Sequence, residues 1–376
     1  MNNSANPPIP FVDLGAQFED LETEVMEAIR SVATSSAFIR GAPLQELEDA
    51  FAKLHNVPFA IGVGSGTDAL NLSVQALGVK PGDEVITVPN SWISTTFAIS
   101  HAGAKPVFVD INPETYQMNT SDLASLITER TKAIIPVHLF GHPAPVDEIK
   151  KICRGKDIQI IEDVAQAPLA KLNGQTVGTF GSFSCFSFYP SKNLGAYGDG
   201  GLVLTSNAQL AESVMQLANY GQYQTHHHAK IGVNSRLDTL QAAILLCKLP
   251  KLETWTKKRQ AAAELYNNLL DPLLIKRAQT GPGAEPVYHL YVIEIDKRDA
   301  CLAYLRKNGV MAQVHYPSVI HLQECYQHLG YKKGDFPVAE KAADRMISLP
   351  MYPEITPEQI GYVVDTLKEF LDSSKS

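Results

Sequence analysis

Between residues 58 and 206, short apolar runs alternate with turns and helical stretches. No other feature constrains the fold as tightly. The runs sit in PFAIGV, DEVITVP, KPVFVDI, KAIIPVHLFG, IQIIEDVAQ, SFSCFSF and GLVLTS. Apolar strands separated by helices predict an α/β domain with a mostly parallel sheet, seven strands wide, covered on both faces. Ligand sites in such sheets gather at the carboxyl ends of the strands.

Ahead of this region, residues 17–34 repeat apolar positions at helical spacing, and a Gly-Ala-Pro turn leads into a second helix. The texture changes near Pro250. LETWTKKRQAAAELYNNLLDPL reads as a long polar-faced helix and AQTGPGAEP as a flexible break. YHLYVIEID, a helix from Asp299, VMAQVHYP and the helix PEQIGYVVDTLKEFL then form a smaller α+β unit. The expected division is 1–35, an N-terminal segment whose helix packs with the small domain; 36–250, the large domain; and 251–376, the small one. No internal repeat or low-complexity stretch interrupts it.

A net charge of −8 excludes a broad nucleic-acid surface, which needs an excess of Lys and Arg. Any bound phosphate must therefore be held locally, by backbone N–H groups at a helix start and a few side chains. No apolar run reaches membrane-spanning length, and MNNSANPPIPFVDL has no basic region followed by an apolar core, so neither a membrane partner nor secretion is expected. The five cysteines are scattered without a CxxC, which suits reduced thiols in a cytoplasmic protein.

The chemistry-bearing residues fall at the ends of the apolar runs. In GVGSGTDAL a strand leads through Gly-Ser-Gly into a helix start, so Gly66 and Thr67 could cradle an anion, or Ser65 could simply cap the helix. Ser187 could add a hydroxyl to the same anion. Trp92 follows VITVP, where it could stack on a flat ring or join the core. Glu162 and Asp163 end the run IQIIED. A buried Asp163 needs a cationic partner unless it caps a helix, and a protonated pyridine ring is such a partner. Gln166, three residues on, could reach a phenolic oxygen. Lys192 opens a Gly-rich stretch, SKNLGAYGDGG, in which the backbone can approach a ligand closely. A Schiff-base Lys and an acid facing the ring nitrogen are what pyridoxal phosphate (PLP) chemistry requires.

Taken in order and spacing, GSGTDAL, IIEDVAQ, FSFYPSKNLGAYGDGG and GVNSRLDTLQAAIL resemble the DegT/DnrJ/EryC1/StrS family of nucleotide-sugar aminotransferases, from about Phe11 to the C-terminus. The resemblance implies an aspartate-aminotransferase-type fold and a homodimer with PLP at the subunit interface. It implies Lys192 as the Schiff-base lysine and proton shuttle, Asp163 at the ring nitrogen and Gln166 at the phenolic oxygen. Gly66, Thr67 and Ser187 would hold the phosphate, Trp92 would pack on the ring, and Asn234 would reach the phosphate from the neighbouring subunit. Relatives with His in place of this Lys are dehydratases; this chain keeps Lys.

Arg236 and the pair His315-Tyr316 resemble positions that contact the nucleotide sugar. Arg236 could equally pair with Asp238 or another acid, and His315 could be structural. The implied substrates are an amino donor, L-glutamate, and a keto sugar on a nucleoside diphosphate, aminated at carbon-3 of a UDP-linked N-acetylated hexose or, alternatively, at carbon-4. His138 ends a strand and could line the pocket. The run His226-His227-His228 reads as an exposed loop, since consecutive residues cannot easily all face one metal ion.

Overall fold

The computed structural model describes residues 8–272 and 275–373, so the outermost ends of the first and last expected domains lie outside the described residues. Seven strands form the central sheet: β1 (Phe59–Val63), β2 (Glu84–Thr87), β3 (Lys105–Phe108), β4 (Thr131–Ile134), β5 (Gln159–Asp163), β6 (Phe183–Ser187) and β7 (Gly201–Thr205). Their spatial order is β1-β7-β6-β5-β4-β2-β3. Only β7 runs against its neighbours. The mostly parallel sheet expected from the alternating runs is therefore the one observed.

Side chains alternate across this sheet with a period of two. Phe183 and Cys185 of β6 enter the core on one face with Val63, Leu70 and Ile161. Phe186 points the other way and packs with Phe51, Leu202 and Leu245. Burial on both faces is why the strands read as continuous apolar runs.

Glu162 and Asp163 obey the same alternation. Glu162 is fully buried and accepts hydrogen bonds from the backbone N–H of Gly178 (2.7 Å), Phe180 (2.7 Å) and Gly181 (2.8 Å). His138 accepts from the Ala144 N–H at Nδ1 (2.9 Å), which leaves its Nε2 to donate to Glu162 (3.2 Å). His138 is thus a buried brace away from the cavity wall, so the reading in which it could line the pocket does not hold.

The first predicted helix is two: α1 (Leu14–Glu19) and α2 (Glu22–Ser35), because the chain turns to bury Leu21 between them. A third, α3 (Ala42–His55), follows with Gly41 before it and Pro43 in its first turn. Ile9 packs with the smaller unit and bridges to Val310. The α2 helix does not follow it there. Its Val25 packs with Leu21 against Ile244 and Trp255, so the helix lies on the large unit and its junction with the small one.

The smaller unit has three antiparallel strands, β8 (Lys276–Arg277), β9 (Tyr291–Glu294) and β10 (Met346–Leu349). Their core includes Tyr266, Ile293, Leu305 and Leu367. AQTGPGAEP, read as a flexible break, places Ala284 and Glu285 in backbone pairing with Leu172 and Lys171. No helix among the described residues is long and apolar enough to cross a membrane.

Glu162→Leu strands three buried N–H donors at once. It should destabilise the protein by about 3 kcal/mol or more, read as the shift of the urea unfolding midpoint.

Candidate active site

A cavity of about 470 Å³ opens where the carboxyl ends of the strands meet the smaller unit. Much of its wall comes from strand ends. Gly66 and Thr67 follow β1, Trp92 follows β2, Asp163 ends β5 and Ser187 ends β6. Lys192 enters from the loop joining β6 to β7, and His289, His315 and Tyr316 come from the smaller unit.

The turn into α4 (Gly66–Ala76) forms the part of the wall expected to hold an anion. Ser65 caps it, its hydroxyl accepting from the Asp68 N–H (3.1 Å). Capping by Ser65 does not consume the first-turn N–H groups of Gly66 and Thr67, which have no partner within the helix. A side chain on Gly66 would place its Cβ 2.7 Å from the Ser187 Cβ, so only glycine lets this turn meet Ser187. The Thr67 hydroxyl pairs with Ser94 (2.8 Å).

Asp163 is 5% exposed, and that fraction faces the cavity. Its Oδ2 accepts from the Thr95 hydroxyl (2.8 Å) and its Oδ1 from the Ala165 N–H (3.2 Å). Burial pushes its pKa above the usual carboxylate range; the Thr95 and Ala165 bonds and the Lys192 charge only partly offset this. Burial pulls the Lys192 ammonium down to about 8, with Asp163 opposing. Among the described residues no ion pair joins the two, although both line one cavity. An acid and an amine are thus held apart across an open space.

The Gln166 Oε1 accepts from the Phe140 N–H (2.6 Å), and its Nε2 donates to the Tyr316 hydroxyl (3.1 Å). One Nε2 hydrogen remains for another acceptor. Trp92 does not join the core: it is 57% exposed, with its ring 5.5 Å from that of Tyr316. Burial lowers the His315 pKa to about 4, and its Nδ1 meets the Ser348 hydroxyl at 2.9 Å.

Asn234 and Arg236 lie outside the cavity of their own chain. Asn234 is exposed. The Arg236 guanidinium bonds the Asn219 Oδ1 (3.2 Å) and lies over the Tyr220 ring, with no pair to Asp238. His227 and His228 are exposed in a two-residue strand. Among the described residues no group of three or more His, Cys, Asp or Glu could hold a metal ion.

Sequence reasoning missed Thr95 and His289. Thr95 sits one helical turn after Ser91, whose hydroxyl it meets at 2.9 Å, but nothing in STTF marks it as the Asp163 partner. His289 meets Asn193 (3.0 Å) beside Lys192, and burial with the Lys192 charge holds it well below the usual histidine range.

These residues fit pyridoxal phosphate. A buried carboxyl has no cation paired with it among the described residues, an amine stands across a gap, and the helix-start N–H groups of Gly66 and Thr67 face the same space. The family model of the DegT/DnrJ/EryC1/StrS aminotransferase family matches residues 19–368. The chain is 43% identical over 365 residues to a pleiotropic regulatory protein of Geobacillus stearothermophilus, covering 96% of this chain and 98% of that one. It is 41% identical over 366 residues to a UDP-N-acetyl-3-dehydro-alpha-D-glucosamine 3-aminotransferase of Acidithiobacillus ferrooxidans, covering 97% and 99%. The crystal structure of DesV from S. venezuelae with a ketimine intermediate superposes with a TM-score of 0.94 at 39% identity, covering 97% and 99%. This chain belongs to the DegT/DnrJ/EryC1/StrS aminotransferase family. It is a sugar aminotransferase, and its cofactor is PLP.

In cofactor-free protein, competitive labelling of amines read by mass spectrometry should give Lys192 a midpoint near 8. Ordinary surface lysines titrate at about 10.4. Asp163→Asn, which keeps shape and removes charge, should lower kcat by roughly 10²- to 10³-fold in the amino-donor half-reaction.

Proposed function

We propose that this chain transfers an amino group from L-glutamate to carbon-3 of a keto hexose that is N-acetylated and carried on UDP. Aminotransfer rests on one observation above others: Lys192 and Asp163 face a single cavity without bonding to each other. The choice of sugar is supported by the Acidithiobacillus relative, named for amination of a UDP-linked 3-dehydro sugar. Retention of Lys192 supports transamination over dehydration.

Bound in the cavity, PLP supplies an aldehyde carbon that captures amines and a ring that takes up the electron pair released there. This chain's residues do the rest. With its ammonium held near 8, Lys192 has both protonated and free forms available close to neutral pH, so its Nζ can take a proton from one carbon and return it at another. Asp163 offers a buried charge to a ring cation, which offsets the desolvation that otherwise favours its neutral form. The N–H groups of Gly66 and Thr67 and the Ser187 hydroxyl hold the phosphate at a helix start. Gln166 keeps one hydrogen for the phenolic oxygen, and Trp92 covers the ring. His315, neutral at physiological pH, and the Tyr316 ring line the side from which the sugar enters.

The active assembly in this proposal is a homodimer. Asn234 is exposed and outside its own cavity, on a segment where Ile231 is 98% exposed and Val233, Tyr220 and Tyr223 add apolar surface. A second copy covering that surface would receive Asn234 at its phosphate cradle. Arg236, with no carboxylate partner among the described residues, is placed in the same way to meet the sugar diphosphate.

A panel of UDP- and dTDP-linked 3-keto and 4-keto hexoses with L-glutamate, read by mass spectrometry, tests the sugar. The 3-keto, UDP-linked, N-acetylated member should give the amino sugar with equimolar 2-oxoglutarate. Exclusive turnover of a 4-keto sugar would overturn the carbon-3 assignment.

A further inference from the structure

Lys248 is the last residue of the helix Thr239–Lys248, and its side chain is only 1% exposed. Its ammonium donates to the Gly195 carbonyl at 2.7 Å and stands 4.3 Å from the centre of the Tyr197 ring. Among the described residues no carboxylate pairs with it, and burial pulls its pKa down to about 8. A buried cation without a counter-ion is costly. What offsets the cost here is local: the carbonyl, the face of an aromatic ring and the negative end of its own helix.

Both partners belong to the loop that carries Lys192. That loop is folded tightly on itself. The Lys192 N–H donates to the Tyr189 carbonyl (2.8 Å), the Ala196 N–H donates to that of Phe188 (2.8 Å), and a side chain on Gly195 would collide with the Pro190 carbonyl. The same helix holds the loop a second time, because the Gln241 Oε1 accepts from the Tyr197 N–H (2.8 Å). Just before the helix, the Ser235 hydroxyl accepts from the Gly64 N–H (3.0 Å) at the phosphate turn. One helix and its leading segment thus brace both the amine and the anion cradle.

We propose that Lys248 is a positioning residue for Lys192: its bond to the Gly195 carbonyl fixes the loop that aims the Lys192 amine into the cavity. A purely apolar side chain would fill the same volume without the desolvation cost, but it would leave the Gly195 carbonyl unpaired and this helix holding the loop through Gln241 alone. The inference rests on Lys192 being the reacting amine, a point tested separately by borohydride reduction of the wild-type holoenzyme and mapping of the labelled peptide. A label on another lysine would remove that premise without any Lys248 variant being made.

The test is Lys248→Met, with competitive labelling of Lys192 in the cofactor-free protein as the first readout. Asp163, His289 and His315 also face the Lys192 amine and stay unchanged. Slackening the loop lets water reach Lys192 and relieves the desolvation that pulls its ammonium down. The Lys192 midpoint should therefore rise by about one pH unit. In the holoenzyme, kcat should fall roughly 10- to 100-fold while KM for the sugar changes by less than about threefold. Should the Met variant not fold, Lys248→Gln serves: its amide is neutral and shorter than the lysine, and the same rise is expected. A folded variant with an unmoved Lys192 midpoint and wild-type kcat overturns the proposal. So does a lowered melting temperature alone.

Discussion

Two neighbouring acids at the end of one strand set the terms for this site. Because successive side chains leave β5 on opposite faces, Glu162 and Asp163 are buried in different environments. Glu162 meets three backbone N–H groups and an imidazole, which leaves no unmet demand. Asp163 receives one hydroxyl and one N–H, and among the described residues no cation pairs with it. A pyridinium nitrogen meets that deficit. In the proposed function the end of β5 sets where the cofactor ring lies, with the turn at Gly66 and the amine of Lys192 around it.

The electrostatics of the cavity follow from the same enclosure. Burial favours the neutral forms of four groups around the cavity, raising Asp163 and lowering Lys192, His289 and His315. For Lys192 in its proposed role this is useful as it stands, since a proton shuttle needs a free amine. For Asp163 it is useful only with a bound cation, so cofactor binding and the charge of this acid are linked.

Much of this was legible in the sequence, for reasons that can be named. Strands buried on both faces are continuously apolar, so IQIIED and GLVLTS revealed the sheet, and glycines at close backbone approaches revealed the turns at Gly66 and after Lys192. The resemblance then gave roles to residues whose types alone left alternatives open, as with Trp92 and Gln166. What stayed hidden was pairing across long sequence separations. Nothing in STTF announces that Thr95 meets an acid 68 residues away, and nothing in LLCKLP announces that a lysine bonds the carbonyl of Gly195. The place of His138 stayed open because a strand-end histidine facing the cavity and one facing Glu162 read alike in sequence.

The central claim is that Asp163 keeps the cofactor ring nitrogen protonated. Nitrogen-15 NMR of protein reconstituted with PLP labelled at the ring nitrogen reads that proton directly. The account predicts a pyridinium signal across the whole pH range in which the protein is folded, replaced by a neutral pyridine signal in Asp163→Asn. A neutral ring nitrogen in the wild-type protein at physiological pH would contradict it.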